Sequence, residues 1–415
     1  MTALFAPLVQ IHNRERASTL TPQTRSTIGI AGTSIELHDG PDSLGAEWCE
    51  LEKSAVTTVF QSHAWVSSWC RTAAPALAET PVIVTGRDEG GKLAFILPLS
   101  ITHQLGMRWL GWLGQSHAGY GFGIYRRDVI ARLDAKALRR LFRHIAAMRP
   151  GLAGCRLKKQ PLTWNGVANP FALLTRAPSP FVATAFDLKP DFESLMSANF
   201  SSKKRSELRR TLSQLRKQSP VTIEIASTPE QRLRAFAAFQ DQKSAQIAAD
   251  GRASPFATAP IAAFYRDYLA SDATAAQAAI GTMTVGSEIA AVDIAVIFQD
   301  RIYGLNRSMK AGDIRKSSPG RHVNSALIER AFAQACAVYD LGPGEASYKD
   351  DWNGHTVPMF STEFPLAIPG MIAAPAFVAA AHATAALKRQ PNLWNALDRL
   401  RAKIRLHRVR KKPAT

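Results

Sequence analysis

Cysteine is scarce: 415 residues hold four, Cys49, Cys70, Cys155 and Cys336, with no paired spacing and no accompanying histidine pattern. That argues against a disulfide framework and against a Cys/His metal site, and the thiols read as reduced and mostly buried in a cytoplasmic protein. No metal ligand set is expected. The N-terminus lacks the charged-then-apolar order of an export signal. Long uncharged runs are also few. Leu366–Leu387 carries no formal charge over about the length of a membrane span. It is mostly alanine and is broken by Pro369, Gly370 and Pro375, so a packed or interfacial helix is expected there. Acidic residues are short by comparison with basic ones, 33 against 51, leaving a net charge of +18. Disorder is excluded by a 46% hydrophobic and 20% charged composition.

The charge that is present is unevenly placed. Lys388–Thr415 holds ten Lys/Arg against the single acid Asp398, a net +9. A second cluster, Lys203-Lys-Arg with Arg209, Arg210, Arg216 and Lys217, sets seven cations against Glu207. Such blocks attract phosphates or anionic lipid, or simply form a solvated face. They lack a recognised reader motif, which argues against a nucleic-acid partner. Leu393–Val409 is basic and amphipathic, suited to an anionic membrane surface or a protein partner. The expected location is cytoplasmic, with peripheral attachment at the inner membrane face through this tail.

The length suits two domains plus tails. Residues 1–33 read as a loose arm, rich in Thr, Ser and Arg. Ile35–Leu37 begins the folded part as a strand, and Ser62 caps an aromatic helix with Trp65 and Trp69. Two apolar runs, Pro81–Thr85 and Leu93–Leu99, are joined by the hairpin signal Asp88–Gly91. A basic amphipathic helix over 133–149 is followed by strands at Leu152–Leu157 and Phe181–Leu188, which close a first half. The second half opens near Lys189 with helices at Phe192–Ala198 and Ser201–Gln218, the latter carrying a stripe of Leu208, Leu212 and Leu215. A strand at Val221–Ile225, helices at Glu230–Asp250 and Pro260–Ser271, and three strands at 278–285, 287–299 and 301–308 follow. Met359–Leu366 is the last strand.

The stretch Asp300–Trp352 concentrates the features that bear chemistry. Arg315-Lys-Ser-Ser-Pro-Gly320 precedes a helix whose apolar residues recur at Val323, Ala326, Leu327 and Ala331. Ser317 and Ser318 are N-cap residue types, Pro319 suits the first turn, and Gly320 permits close backbone approach. The free amides and positive dipole end there favour an anion such as a pyrophosphate, with Arg315 and Arg321 flanking it. An ordinary capped helix with solvated arginines fits the same letters. In the nearly unbroken apolar strand Ile289–Phe298, Asp293 stands out, because an unpaired carboxylate there costs several kcal/mol. It is either a general base raised by apolar surroundings or the ion-pair partner of Arg307. Asn306 and Arg307 lie on the neighbouring strand.

Arg315–Gly320 resembles a degenerate form of the Gln/Arg-x-x-Gly-x-Gly/Ala acyl-CoA loop of the GNAT superfamily, with Ser318 in place of the first glycine. The helix that follows, with Asp340-Leu-Gly-Pro-Gly344, Tyr348, Lys349 and Trp352, resembles CelD-like (cellulose-biosynthesis-associated) acetyltransferases, which are relatives of the Fem-type transferases. Phe60, Trp65, Trp69 and Leu97-Pro-Leu99 resemble the N-terminal half of the same proteins. There His117 and Tyr120 stand where the relatives carry an acidic-aromatic pair, and the acid is missing. The resemblance covers approximately residues 35–366. It implies an α/β (α+β) fold of two tandem GNAT-like domains, 34–188 and 189–366, with mixed, mainly antiparallel sheets flanked by helices. Residues 367–415 then form an Ala-rich and basic helical tail.

The resemblance also implies an acyl-CoA-dependent N-acyltransferase, moving an acetyl or other acyl group to an amine-bearing acceptor in polysaccharide or cell-envelope biosynthesis. Such an enzyme uses acyl-CoA as co-substrate and needs no metal. Arg315, Ser317, Ser318, Gly320 and Arg321 would hold the acyl-CoA. Asp293 would take the acceptor's proton, Tyr348 would protonate the leaving thiolate, and Lys349 would bind phosphate or the acceptor. Gln240, Lys243, Asn306 and Arg307 would contact the acceptor, with Gln240 and Lys243 replacing a His…Arg-Trp pattern of the relatives. The thioester would lie in a strand splay between Asp293–Phe298 and Val338–Leu341. A Fem-type donor (aminoacyl-tRNA) and a non-catalytic basic scaffold are the rival readings.

Overall fold

The structure, a computed structural model, describes residues 25–249, 253–344, 346–388 and 390. Two large sheets organise the chain. The first runs, in spatial order, Arg25–Ile30, Thr33–His38, Thr80–Arg87, Leu93–Gln104, Met107–Trp112, Leu152–Pro161, Met359–Pro365 and Arg176–Pro178, with Ile124–Tyr125 added beside Leu93–Gln104. The second runs Val221–Ile225, Ala278–Val285, Glu288–Phe298, Arg301–Met309, Val338–Pro343, Ala183–Asp187 and His355–Val357. Both are antiparallel except at one step each. In the first, Met107–Trp112 lies parallel to Leu152–Pro161; in the second, Arg301–Met309 lies parallel to Val338–Pro343. In each case the parallel step is bridged by a long connection that includes a helix, because parallel neighbours cannot be joined by a tight turn.

The sheets exchange strands, which corrects the strand grouping read from the sequence. Ala183–Asp187, expected to close the first half, pairs with Val338–Pro343 in the second sheet. Met359–Pro365, expected to close the second half, lies between Leu152–Pro161 and Arg176–Pro178 in the first. A linear boundary at 188/189 therefore does not follow the sheets: the second is built from strands within 183–357, and the first from strands within 25–178 together with Met359–Pro365 from beyond the second. The arm also ends earlier than expected, since Arg25–Ile30 already pairs with Thr33–His38.

Helices cover the second sheet on both faces. Pro319–Ala333 buries Val323, Leu327, Ile328 and Ala331 completely. A full burial of one such aliphatic side chain stabilises by about 1.5–3 kcal/mol. Val323 packs so closely on the sheet that a side chain at Gly281 would meet it at 2.5 Å. On the other face, Pro229–Ala249 buries Phe236 and Phe239 against the aromatic helix Ala259–Ala270, and Trp65 of the first unit packs edge-on to Phe264 and Tyr268. The two units thus share a core. The Ser202–Gln218 helix, expected to bury a leucine stripe, has no fully buried residue; Leu212 and Leu215 are only partly covered.

Ile368–Lys388 is one helix, long and apolar enough to cross a membrane by length and composition alone. It packs on the first sheet through Gly370, where any side chain would run into Ala153 O, and through Phe377, whose ring lies under Arg156 at 3.3 Å. Ile368, Met371 and Ile372 stay exposed. Leu393–Val409 lies outside the described residues.

Candidate active site

Arg301–Met309 and Val338–Pro343 stay in register for three residues only, Arg301↔Val338, Ile302↔Tyr339 and Tyr303↔Asp340. Beyond that they diverge. The divergence is set locally by irregular pairing on both outer sides. Glu288–Phe298 pairs Ile294 with Asn306 and Ala295 with Gly304, so Leu305 is an extra, bulged residue. Ala183–Asp187 pairs Thr184 with Gly342 and Ala185 with Asp340, so Leu341 bulges likewise. A bulge bends its strand and leaves the extra residue without a ladder partner. Leu305 thus sits at the mouth of a splay and lines the cavity there. The splay lies between Arg301–Met309 and Val338–Pro343. The expected placement beside Asp293–Phe298 is corrected, because Arg301–Met309 intervenes.

A cavity lies on each side of the splay. One, of about 200 Å³, is walled by Ser318, Arg321 and Asn324 of the Pro319–Ala333 helix start, Tyr348 and Trp352, and the Ser202–Gln218 helix. Its charged lining comprises Lys204, Arg205, Arg307, Lys316 and Arg321 against Glu207 and Asp351, five cations to two anions. Arg321 pairs with Asp351, and Lys204 Nζ reaches the same carboxylate at 2.6 Å. The other cavity, of about 240 Å³, lies between the units. It is lined by Gly304–Asn306 and Asp340–Pro343 from the splay and by Phe60, Ser116–Tyr120 and Lys159 from the first unit.

The Ser318 turn has the shape of an anion cradle. Ser318 adopts φ 53°, ψ 49°, the left-handed region that glycine takes at low cost, matching the glycine it replaces in the resembled loop. Neither serine caps the helix, contrary to the reading of the sequence. Ser317 Oγ donates to Ile314 O at 2.6 Å, and Ser318 makes no side-chain cap bond. Pro319 has no amide and the Arg321 amide bonds Ser318 O at 2.9 Å, but no side chain caps the first turn, which leaves it suited to an external anion. The corresponding helix of the first unit, Ala135–Met148, is the opposite case. Asp134 caps it, Oδ1 accepting from Ala137 N at 2.7 Å, and places a negative charge where an anion would bind. The first sheet's parallel step likewise ends after three pairs, at Leu110↔Cys155, but the splay beyond it is filled from within: at Gly121 a side chain would run into Trp112 and meet Lys158 O at 2.7 Å. Among the described residues, the second splay alone presents both an uncapped helix start and an adjacent cavity.

The candidate residues separate by place. Arg321 and Ser318 line the cation-rich cavity, whereas Arg315 faces an open groove on the far side with Glu288 and Lys310 and does not flank the turn's anion position. Gly320 is not among the residues lining the cation-rich cavity and packs against the sheet: a side chain there would meet Met309 Sδ at 3.0 Å and Arg307 Cδ at 3.3 Å. Asp293 lines neither cavity. Its Oδ2 accepts from Arg307 Nε at 2.8 Å and from Nη2, and the residue is 3% exposed. Burial pushes its pKa up and the Arg307 charge opposes this. Of the two roles open in the sequence, the geometry is that of the ion-pair partner, because both its position and its bonds are spent on Arg307.

Arg307 in turn lies over the Tyr348 ring, 4.2 Å from the centroid. Burial holds the Tyr348 phenol above its ordinary pKa, so it keeps its proton at neutral pH. Lys349 Nζ donates to Gly342 O and Gly344 O, each at 2.8 Å, and ties down the end of the splayed strand. Burial lowers its pKa to about 8. Asn306 lines the inter-unit cavity and donates to Tyr265 Oη at 3.4 Å. Gln240 is used structurally, donating to Phe256 O at 2.6 Å, and Lys243 donates to Arg307 O at 3.2 Å; neither lines the splay cavities.

Three features escaped the sequence reading. The bulge at Leu305 has no compositional mark. Lys159, which faces the inter-unit cavity, sits in an unremarkable strand. The acid missing beside Tyr120 comes from the other unit: Tyr120 Oη donates to Asp340 Oδ1 at 2.8 Å, and Arg301 holds Oδ2 at 3.2 Å. Among the described residues no group of three or more His, Cys, Asp or Glu is placed to hold a metal ion.

Residues 202–350 match the family described as "Acetyltransferase (GNAT) domain". The second unit is GNAT-like. Of solved structures, FemX aligns at 10% identity over 76% of this chain and 95% of its own, with a TM-score of 0.52, which establishes the likeness of fold. The C-terminal domain of a putative lysylphosphatidylglycerol synthetase from Agrobacterium fabrum aligns at 11% identity (81% and 96% covered, TM-score 0.48). A tandem GNAT protein from the clavulanic acid biosynthesis pathway aligns at 11% identity (80% and 98%, TM-score 0.44). No curated protein matches the chain in sequence. The architecture is thus two units with mixed, mainly antiparallel sheets flanked by helices, the second of which holds the GNAT-matched segment.

Proposed function

We propose that the chain is an acyl-CoA-dependent N-acyltransferase whose reaction takes place in the second splay. The observation that carries this reading is the three-residue parallel pairing of Arg301–Met309 with Val338–Pro343, opened by paired bulges, with a cation-lined cavity on one side and an aromatic one on the other. The pyrophosphate of the donor fits the uncapped Ser318–Arg321 turn, beside Lys316 and Lys204. The thioester carbonyl then reaches the splay, where the Leu305 amide meets the charge that develops on oxygen. An amine arrives from the inter-unit cavity, and its nitrogen bonds to the carbonyl carbon and gives up a proton on the side of that cavity. The C–S bond breaks with its electron pair passing to sulfur, and Tyr348 returns a proton to the thiolate. Arg307 positions the Tyr348 ring, and Asp293 holds Arg307. Lys349 fixes the strand that forms one wall.

Thiol release from acyl-CoA in the presence of amines tests this. A general acid contributes about 10²–10⁴-fold in rate, so Tyr348→Phe should lower turnover by at least the smaller factor with acyl-CoA affinity nearly intact. The loss should ease for donors with a better leaving group. Full turnover in the variant removes Tyr348 from the chemistry. The exposed cations of the Ser202–Gln218 helix favour one second reading, an aminoacyl-tRNA donor as in Fem-type transferases, which tRNA-dependent transfer without acyl-CoA binding would reveal. Participation in polysaccharide or cell-envelope assembly is part of the proposal and rests on the CelD-like resemblance.

A further inference from the structure

The inter-unit cavity contains more than the splay needs. Its charged lining residues are Lys159 and Asp340. Asp340 is committed, with Oδ1 accepting from Tyr120 Oη and from the Gly342 amide at 2.7 Å, and Oδ2 facing Arg301. Lys159 is not. Its Nζ donates to Ala118 O at 2.9 Å and to Ser116 O at 3.4 Å, which occupies two of its three donors. The backbone at Lys159 is left-handed, φ 55°, where the register of Leu152–Pro161 against Met359–Pro365 slips. A non-glycine residue in that conformation costs about 1–2 kcal/mol, a cost that a solvated lysine would have no reason to bear. Burial and the neighbouring Lys158 lower its pKa to about 8, so it is still mostly protonated at pH 7. Beside it, His117 is neutral, lowered to about 4 by burial and then by Lys159, with Ser116 Oγ on Nδ1 at 3.1 Å. The cavity therefore offers one cation with a donor to spare, a neutral imidazole and the aromatic walls of Phe60 and Phe256. Among the described residues it has no free carboxylate that would receive an ammonium group.

We infer that the first unit forms the acceptor site of the second, that Lys159 anchors an anionic group of the acceptor, and that the acceptor is a small amine bearing a carboxylate. This rests on the acyl transfer proposed above. With the carboxylate on Lys159, the amine lies toward the splay at Leu305 and Asn306. The proton that its nitrogen loses on forming the N–C bond passes to the neutral His117 imidazole. Ion pairing at Lys159 also offsets the positive charge that holds His117 down, so binding of the acceptor raises the proton affinity of the group that receives its proton. A cavity of about 240 Å³ limits the acceptor to roughly the size of a single amino acid or the terminal unit of a longer molecule.

Matched acceptor pairs differing only in the carboxylate, alanine with ethylamine and phenylalanine with phenethylamine, test this on the full chain with acetyl-CoA and a thiol-release readout. One charge-assisted contact corresponds to about tenfold in kcat/KM, so the native protein should prefer the carboxylate member of a pair by about that factor. Lys159→Met should abolish the preference, and Lys159→Arg, which keeps the cation, should restore it. Calorimetric acetyl-CoA binding should be unchanged in both. Binding of acetyl-CoA with a preference that persists in Lys159→Met overturns the anchor alone. So does a native preference for the neutral amine, or silence toward every carboxylate member while acetyl-CoA binds. Absence of acetyl-CoA binding to the native chain overturns the reaction itself.

Discussion

Replacing Asp293 by Asn should act on folding far more than on chemistry. In the native protein Asp293 is 3% exposed and both of its bonds go from Oδ2 to Arg307, whose guanidinium is itself largely covered, with 13% of its side chain accessible. Asparagine keeps the shape and loses the charge, which leaves a guanidinium in a nearly dry site facing a neutral amide. Removing one partner of a buried pair typically costs about 3–5 kcal/mol, because the remaining charge is uncompensated. Replacing both partners by apolar residues of similar volume avoids that penalty, so Asp293→Leu with Arg307→Met should recover most of the loss. Turnover should fall only as far as Arg307 shifts the Tyr348 ring beneath it. The assay pairs urea denaturation followed by tryptophan fluorescence with thiol release at a temperature where every variant is folded. A fully stable Asp293→Asn protein that has lost turnover by about 10² or more would refute the ion-pair account and restore Asp293 as the base.

Further tests address other links. Burial raises the Glu52 pKa from 4.5 to about 7 in the folded protein, where its carboxyl faces the His63 amide. A raised folded pKa means that its favourable contribution is complete below about pH 4.5 and is lost as pH climbs through 7, roughly 3 kcal/mol in all. Glu52→Gln should thus match the native protein near pH 4.5 and exceed it at pH 8 in chemical denaturation; equal stability at both would contradict the burial argument. Ser318→Gly should relieve left-handed strain and gain about 0.5–1 kcal/mol with acyl-CoA affinity retained, and a loss of stability would show that Ser318 makes a contact that matters. Truncation after Gln390 should leave folding and turnover intact and remove binding to vesicles rich in anionic lipid at low salt, by loss of the basic tail. Unchanged vesicle binding would remove the membrane role proposed for the tail.

Much of the second unit was legible because its signals are local. The apolar run through Ile294 and Val296 marks a strand buried on both faces, and the spacing of Val323, Leu327 and Ala331 marks a helix lying on a sheet. The Ser-Pro-Gly turn marks where that helix begins. Partner choice was not legible. A strand of alternating pattern such as Ala183–Asp187 does not state which sheet it will join, and its partner Val338–Pro343 lies some 150 residues away. The fate of Asp293 was narrowed to two roles by desolvation alone, and only the distance to Arg307 separates them. Serine N-cap chemistry misled, because the backbone at Ser318 turns left-handed and its hydroxyl does not cap the helix. Lys159 gave no signal at all, and His117 was marked only by the resemblance, since a site residue contributed across units is invisible to periodicity.

The central claim is that the Ser318–Arg321 turn and the adjoining splay receive acyl-CoA, and calorimetric titration of acetyl-CoA into the native chain and into a Lys316→Glu/Arg321→Glu variant tests it most directly. Turning two phosphate-binding cations into anions corresponds to about a hundredfold or more in affinity. The account predicts saturable one-to-one binding to the native protein that weakens by at least that factor in the folded variant. Equal affinity in both proteins, or no binding to the native chain, would contradict it.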